Sequence, residues 1–163
     1  VYDYLNAVDF LSFVAEVRKI PADTARDRIE QWLDFFGLAG REGEFLVNYS
    51  QGMKKKISLA SALIHDPPVL ILDEPTGGLD PKSVRDLREK IVDLAAGGKT
   101  ILLSTHVLEI AQKICNRIGI ISQGRIVGLG TPDELCASEG TGSGDLENVF
   151  INLTTQPEET PEQ

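Results

Sequence analysis

Two adjacent carboxylates, Asp73 and Glu74, follow a short apolar run, Val69-Leu70-Ile71-Leu72. Such a run marks a strand buried on both faces of a parallel sheet. Ligands of open α/β sheets sit beyond the carboxyl ends of their strands. Acids placed there can do two things: Asp73 can hold a hard divalent cation, through water, and Glu74 can orient or deprotonate an attacking water. The same hexapeptide also fits a strand that ends in a solvated acidic turn. Farther on, Ser104-Thr105-His106 closes a second apolar run. His106 can hydrogen-bond a phosphate or the attacking water, although a lone His at a strand end is more often structural. Two adjacent strands that each bring a catalytic-type residue to one edge are much harder to obtain by chance.

A third candidate precedes both: Asn48-Tyr49-Ser50-Gln51-Gly52-Met53-Lys54-Lys55-Lys56. With Ser50 as N-cap and Gly52 in the first turn, backbone N–H groups are left for an anion. Three lysines then crowd the positive end of the helix. That placement is unfavourable by a few tenths of a kcal/mol each unless an anion compensates. Three solvated lysines are the alternative. The fourth candidate, Pro75-Thr76-Gly77-Gly78-Leu79-Asp80-Pro81, is a tight turn directly after the carboxylate pair. Taken alone it is the start of a helix and nothing more.

The elements that must position these residues are legible from periodicity. Residues 1–66 read as helical. Asn6 and Asp9 have capping-box-like spacing, with Leu11, Val14 and Val17 at helical intervals behind them. A second helix after Pro21 carries Ile29, Trp32, Leu33 and Phe36, and ends at Gly37 as a left-handed cap. A loop over 39–49 leads to a helix starting at Ser50, with Ile57, Ala60 and Leu63 on one side. After the first strand, Asp80-Pro81 opens a helix as N-cap and first residue. Its apolar stripe is Val84, Leu87, Ile91 and Leu94, and Gly97-Gly98 stop it. Residues 100–104 form the second strand, and Thr105 can cap a helix bearing Leu108, Ala111 and Ile114. Residues 118–122 and 125–127 look like paired strands around Gln123-Gly124, with a short helix near 132–136. Residues 138–144 read as a flexible linker, 145–153 as one more short helix, and the tail from Thr154 as disordered. Alternating strand and helix in the middle imply an α/β layer with right-handed crossovers.

In this order and spacing, the four segments resemble the ABC (ATP-binding-cassette) ATPases. The likeness covers nearly all of residues 1–136. Tyr49-Ser50-Gln51-Gly52-Met53 matches the signature sequence, 69–74 the Walker B strand, Gly78-Leu79-Asp80 the D-loop and His106 the switch histidine. The signature departs from the commonest form, LSGGQ, at Tyr49, Gln51 and Met53, while Ser50 and Gly52, the phosphate-facing pair, remain. This variant, and the run Gly128-Leu129-Gly130-Thr131-Pro132-Asp133-Glu134-Leu135, look like the ATPase subunits of bacterial export-type transporters.

The resemblance implies a P-loop NTPase (RecA-like) fold in part. Residues 1–66 would be the helical subdomain with the signature helix, and 67–137 the distal part of the catalytic core. Residues 138–163 would be linker, short helix and acidic tail. It also implies ATP and Mg²⁺ as cofactors and a head-to-tail dimer with a second ABC ATPase subunit. Ser50, Gln51 and Gly52 would contact nucleotide across that interface, Asp80 would cross it, and Asp73 (metal), Glu74 and His106 (catalytic) would act in cis. Transmembrane permease subunits on separate chains would receive the motion, with the ATPase peripheral on the cytoplasmic face of the membrane.

One part of that machinery has no match here. A P-loop needs Gly-x-x-x-x-Gly-Lys-Ser/Thr between a strand and a helix. Around Gly98-Lys99-Thr100 the first glycine position is Asp93, and the triplet precedes a strand. In the family the P-loop and the Q-loop glutamine lie before the segment that residues 1–17 resemble. The start at Val1 without Met therefore reads as a fragment boundary, and a chain without the main ATP grip is expected to be inactive alone.

Composition sets the outer bounds. At 163 residues the chain is one ordinary domain, able to bury about two-thirds of its unfolded surface. Its net charge of -9 argues against nucleic acid as the main partner, because that binding is driven by Lys and Arg. Two cysteines, Cys115 and Cys136, without CxxC spacing fit buried or idle thiols better than a disulfide framework. No run approaches the roughly 20 apolar residues of a spanning helix. Two other readings stand beside the exporter subunit. One is a soluble ABC ATPase acting on DNA repair or ribosomes; the acidic charge and the lack of a coiled-coil insertion oppose it. The other is a non-catalytic regulatory or structural module, which the intact Glu74 and His106 oppose.

Overall fold

The computed structural model describes residues 2–138 and 146–155. They form two compact units that divide between Ser104 and Thr105. The first unit opens with three helices. In α1 (Ala7–Val17) Asn6 is the N-cap and accepts from the Asp9 backbone N–H at 2.8 Å. The Asp9 carboxylate answers by accepting from the Asn6 amide at 2.7 Å. The buried line is Ala7, Phe10, Leu11 and Ala15. Expected on that line, Val17 is instead 63% exposed, because the stripe follows i, i+4 spacing from Ala7.

Helix α2 (Ala22–Phe35) starts behind Pro21 and buries Ala25, Ile29 and Leu33. Gly37 follows it at φ 64°, the left-handed stop that the sequence predicts. A 3₁₀ turn at Leu46–Asn48 leads into α3 (Gln51–Leu63), whose Ile57, Ala60 and Leu63 are buried as expected. Arg28 donates to the Ile64 carbonyl at 2.9 Å, so α2 satisfies a carbonyl at the end of α3 that lacks an intrahelical partner.

The strands β1 (Val69–Asp73) and β2 (Thr100–Ser104) pair in parallel, from Val69 opposite Thr100 to Asp73 opposite Ser104. Between them runs α4 (Pro81–Ala96), capped by Asp80, with Leu87 and Ile91 fully buried and Val84 and Leu94 half-buried. The expectation of a strand buried on both faces is corrected here. Leu70 and Leu72 are buried, but Val69 and Ile71 are 55% and 73% exposed, and Leu102 on β2 is 63% exposed. Among the described residues this sheet has two strands, and only one of its faces is covered.

In the second unit α5 (Leu108–Ile114) is followed by the antiparallel pair β3 (Ile118–Ser122) and β4 (Arg125–Gly130), then α6 (Pro132–Ser138) and α7 (Leu146–Thr155). Gln123 and Gly124 turn the hairpin at φ 48° and 77°, the doubly positive pair of a type I′ turn. Helix α6 has a capping box: Thr131 N–H donates to Glu134 at 2.8 Å and Glu134 N–H to Thr131 Oγ1 at 3.2 Å. Gly128 lets α7 approach, since a Cβ there would stand 2.8 Å from Leu153. Cys136 is buried, and Cys115 is half-buried with a free thiol. Burial pushes the Cys115 thiol up. The predicted linker lies outside the described residues from 139 onward, as does the tail from 156. Thr154 and Thr155, expected in that tail, instead complete α7.

Candidate functional site

The register that sets Asp73 opposite Ser104 decides the local chemistry at the carboxyl end of β1. The Ser104 hydroxyl donates to Asp73 Oδ1. The Glu74 N–H is shared between the Ser104 carbonyl, 3.1 Å, and the Ser104 hydroxyl oxygen, 3.3 Å. One serine on β2 therefore fixes both carboxylate residues. Glu74 leaves the strand at φ 44°, a left-handed conformation that a non-glycine residue adopts at a cost of about 1–3 kcal/mol when the surroundings impose it. Its Oε2 atom is shielded from solvent, whereas Asp73 is exposed. The sequence run named Ser104 without giving it this task; the strand register is the signal that assigns it.

The turn that follows comes back through Gly78, at φ 77°, to Asp80. As the cap of α4, Asp80 accepts from the Ser83 N–H at 2.9 Å and the Ser83 hydroxyl at 2.6 Å. Lys56 reaches the same carboxylate at 3.0 Å. The Ser83 hydroxyl first, then the Ser83 N–H, then Lys56 hold the Asp80 carboxyl far below the usual carboxylate range.

Ser50 caps α3, accepting from the Met53 N–H at 3.2 Å. Gly52 follows in the first turn, so close to Gly78 that a Cβ would lie 2.7 Å from the Gly78 carbonyl oxygen. The signature-like helix start and the turn after Glu74 are thus in backbone contact. The sequence left the three lysines either to an external anion or to solvent, and the fold corrects that. Lys54 pairs with Asp3 at 2.9 Å, Lys55 donates to the Asp73 carbonyl at 3.3 Å, and Lys56 pairs with Asp80. Two of the three charges are met by carboxylates of the chain, and Lys55 meets a neutral carbonyl. Gln51 is exposed at the first helical position.

His106 belongs to the second unit, two residues along the chain from the end of β2, and is exposed. Thr105 was expected to cap the next helix. Its hydroxyl instead accepts from the Val107 N–H at 3.0 Å, and Val107 is the N-cap of α5. A Ser/Thr turn wins over a cap here, as these short side chains allow.

Among the described residues no group of three or more His, Cys, Asp or Glu could hold a metal ion. That excludes an all-protein cage. It does not oppose Mg²⁺, which needs one or two carboxylates when phosphate and water supply the other oxygens. The exposed Asp73 carboxylate, steadied by Ser104, fits such a requirement. No helix of the described residues is long and apolar enough to cross a membrane.

Residues 9–110 match the family model described as "AAA domain, putative AbiEii toxin, Type IV TA system". A solved structure, "Structure of ATP binding subunit of ABC transporter", is 31% identical and superposes with a TM-score of 0.88, covering 94% of this chain and 64% of that one. An uncharacterised ABC transporter ATP-binding protein of Nostoc sp. is 40% identical over 97% of this chain and 50% of its own length. The linearmycin resistance ATP-binding protein LnrL of Bacillus subtilis is 35% identical over 94% and 48%. The daunorubicin resistance ATP-binding protein DrrA3 of Streptomyces coeruleorubidus is 38% identical over 90% and 45%.

The chain belongs to the ABC ATPase family. It spans about half the length of the curated relatives it matches. The segment that resembles the signature is held by Arg41. Tyr49, which stands at the Leu position in that resemblance, is buried and donates its hydroxyl to the Arg41 carbonyl at 2.8 Å. Met53 accepts from the Arg41 guanidinium through sulfur at 3.5 Å. Two of the three departures from LSGGQ are therefore anchored on Arg41, while Ser50 and Gly52 keep the helix start.

Proposed function

We propose that this chain supplies the signature and Walker B part of the ATPase subunit of an ABC exporter, and that Glu74 is its catalytic base. The single observation that carries the reading is the edge at the end of β1. There Ser104 fixes Asp73 and Glu74 together, and Gly52 is packed on the turn behind them. The relatives named for linearmycin and daunorubicin resistance favour export.

In this reading Asp73 would hold Mg²⁺, which would neutralise charge on the phosphates. Glu74 takes the proton of the attacking water as its oxygen bonds to the γ-phosphorus. The bond from that phosphorus to the bridging oxygen breaks, and ADP leaves with the electron pair. His106 hydrogen-bonds the γ-phosphate. Ser50, Gln51 and Gly52 contact the nucleotide held by a second subunit, and Asp80 crosses that interface. The P-loop is not among these 163 residues, so the principal ATP grip comes from elsewhere in the complete cassette. Permease subunits on separate chains would be the mechanical partners, with the ATPase on the cytoplasmic face of the membrane.

The test is Glu74→Gln in the complete cassette. ATP binding should be retained while turnover falls by about 10²–10⁴-fold, the usual worth of a general base. Unchanged turnover would remove Glu74 from that role. His106→Ala in the same cassette should also impair hydrolysis; retained activity would make His106 structural. Binding of Mg-ATP by this chain alone would reveal a phosphate grip other than the P-loop motif.

A further inference from the structure

We propose that Lys56 is a positioning residue that locks the start of α3 to the turn 75–80. On the ATPase reading above, the phosphate-facing residues Ser50–Gly52 and the base Glu74 then move as one body.

Three contacts carry this. The Lys56 ammonium meets Asp80 at 3.0 Å, with the lysine side chain 14% exposed and the Asp80 side chain 53% exposed, so only the lysine is shielded from water. Its neighbour Lys55 reaches the Asp73 carbonyl at 3.3 Å. Gly52 abuts the Gly78 carbonyl so closely that no side chain would fit between them. Adjacent lysines thus grip the residue just before Glu74 and the residue that closes the turn. Between those grips the chain forms no helix or strand; it turns on two hydrogen bonds of its own, from the Gly77 N–H to the Glu74 carbonyl at 3.2 Å and from the Leu79 N–H to the Thr76 carbonyl at 3.3 Å, and includes Glu74 at φ 44° and Gly78 at φ 77°. Those two bonds lie within the turn; the grips are what tie it to α3. Lys54, one residue before them on the same helix, pairs instead with Asp3 near the chain start and serves as the internal control.

On the proposed reading the linked parts serve different nucleotides. Ser50–Gly52 face the ATP bound by the other subunit, and Glu74 acts on the ATP bound in cis. A rigid tie between them lets the arrival of one nucleotide set the base for the other. Lys56 would act through Asp80 and touch no substrate.

The first measurement needs no catalysis. Hydrogen–deuterium exchange in this chain should show amides of residues 76–79 exchanging severalfold faster in Lys56→Met. They should be unchanged in Lys54→Met and restored in Lys56→Arg. Asp80→Asn keeps the helix cap but removes the charge, so it should loosen the same amides and stands in should Lys56→Met fail to fold. Unchanged exchange in these variants would overturn the lock, whatever the chain's activity. The second measurement is steady-state ATPase in the complete cassette. Lys56→Met should lower kcat by about tenfold, a loss within reach of a small misplacement of a catalytic group, while KM for ATP stays within about twofold. Lys56→Arg should recover most of the loss. A rise in KM at constant kcat, or an equal loss in Lys54→Met, would overturn the positioning role. A complete cassette whose turnover is unchanged by Glu74→Gln would instead fail the ATPase reading and leave the exchange result standing.

Discussion

The carboxyl end and the open face of the β1–β2 pair come from the same two five-residue strands, yet they are held in opposite ways. At the end, Asp73, Glu74 and Ser104 are joined by hydrogen bonds, and Lys55 adds one to the Asp73 carbonyl. On the face, Val69, Ile71 and Leu102 project into solvent. Polar geometry at the edge is fixed by register and short-range bonding, and it needs nothing above the sheet. Apolar side chains gain only from what covers them. A two-stranded sheet can therefore present a formed polar edge while one face contributes little to its stability, and a bare apolar face of this kind is an aggregation hazard.

The contrast can be broken most severely by comparing adjacent residues of β1. Leu72, buried, should cost about 2–5 kcal/mol when cut to Ala, the usual range for a core leucine. Ile71→Ala on the open face should stay within about 0.5 kcal/mol, as exposed substitutions do. Urea unfolding of this chain gives both numbers. Equal losses would mean that the open face is covered in solution, by self-association for example, and that the edge and the face are not independent.

A smaller effect is expected where α3 meets the turn. Replacing an ordinary helical Gly by Ala gains about 1 kcal/mol. At Gly52 the new Cβ would lie 2.7 Å from the Gly78 carbonyl oxygen, so Gly52→Ala should instead lose about 1–3 kcal/mol, the usual cost of overpacking. A gain in thermal stability would show that residues 75–80 yield freely, and would weaken the case for a rigid tie with it.

What the sequence disclosed, and what it hid, follows the range of the interactions. Caps are local, so Asn6, Ser50 and Asp80-Pro81 were legible and stand where their spacing put them. The Thr131–Glu134 capping box was equally local and could have been read from its spacing. Thr105 went wrong because two local outcomes compete, a cap and a turn, and propensity does not separate them. The pairing of β1 with β2 was readable from alternation of strand and helix. Burial of both faces was not, since it depends on neighbours absent from the strand's own residues. Lys55 and Lys56 find their partners 18 and 24 residues away. Without the fold, their charges could be assigned only to solvent or to an anion. Ser104 was invisible for the same reason: its task exists only once the register sets it opposite Asp73.

The smallest effect concerns Asp80, and pH can read it. Its carboxyl is depressed in the fold, so the stability it contributes is fully present above the unfolded value, about 3.9 for Asp, and is lost as pH falls below that. Asp80→Asn keeps a capping side chain and removes the charge. The difference in Tm between wild type and Asp80→Asn should be flat above about pH 5 and should narrow below about pH 4. A difference that does not change across that window would mean that the carboxylate is not engaged. Lys56→Met separates the cap from the tie. The Ser83 hydroxyl and N–H are the larger causes of the depression and Lys56 the lesser one. Asp80 should therefore still titrate below an ordinary carboxylate in Lys56→Met, while the amides of residues 76–79 exchange faster. If both properties vanish together, the cap and the tie are one interaction, and the turn has no independent anchor on α4.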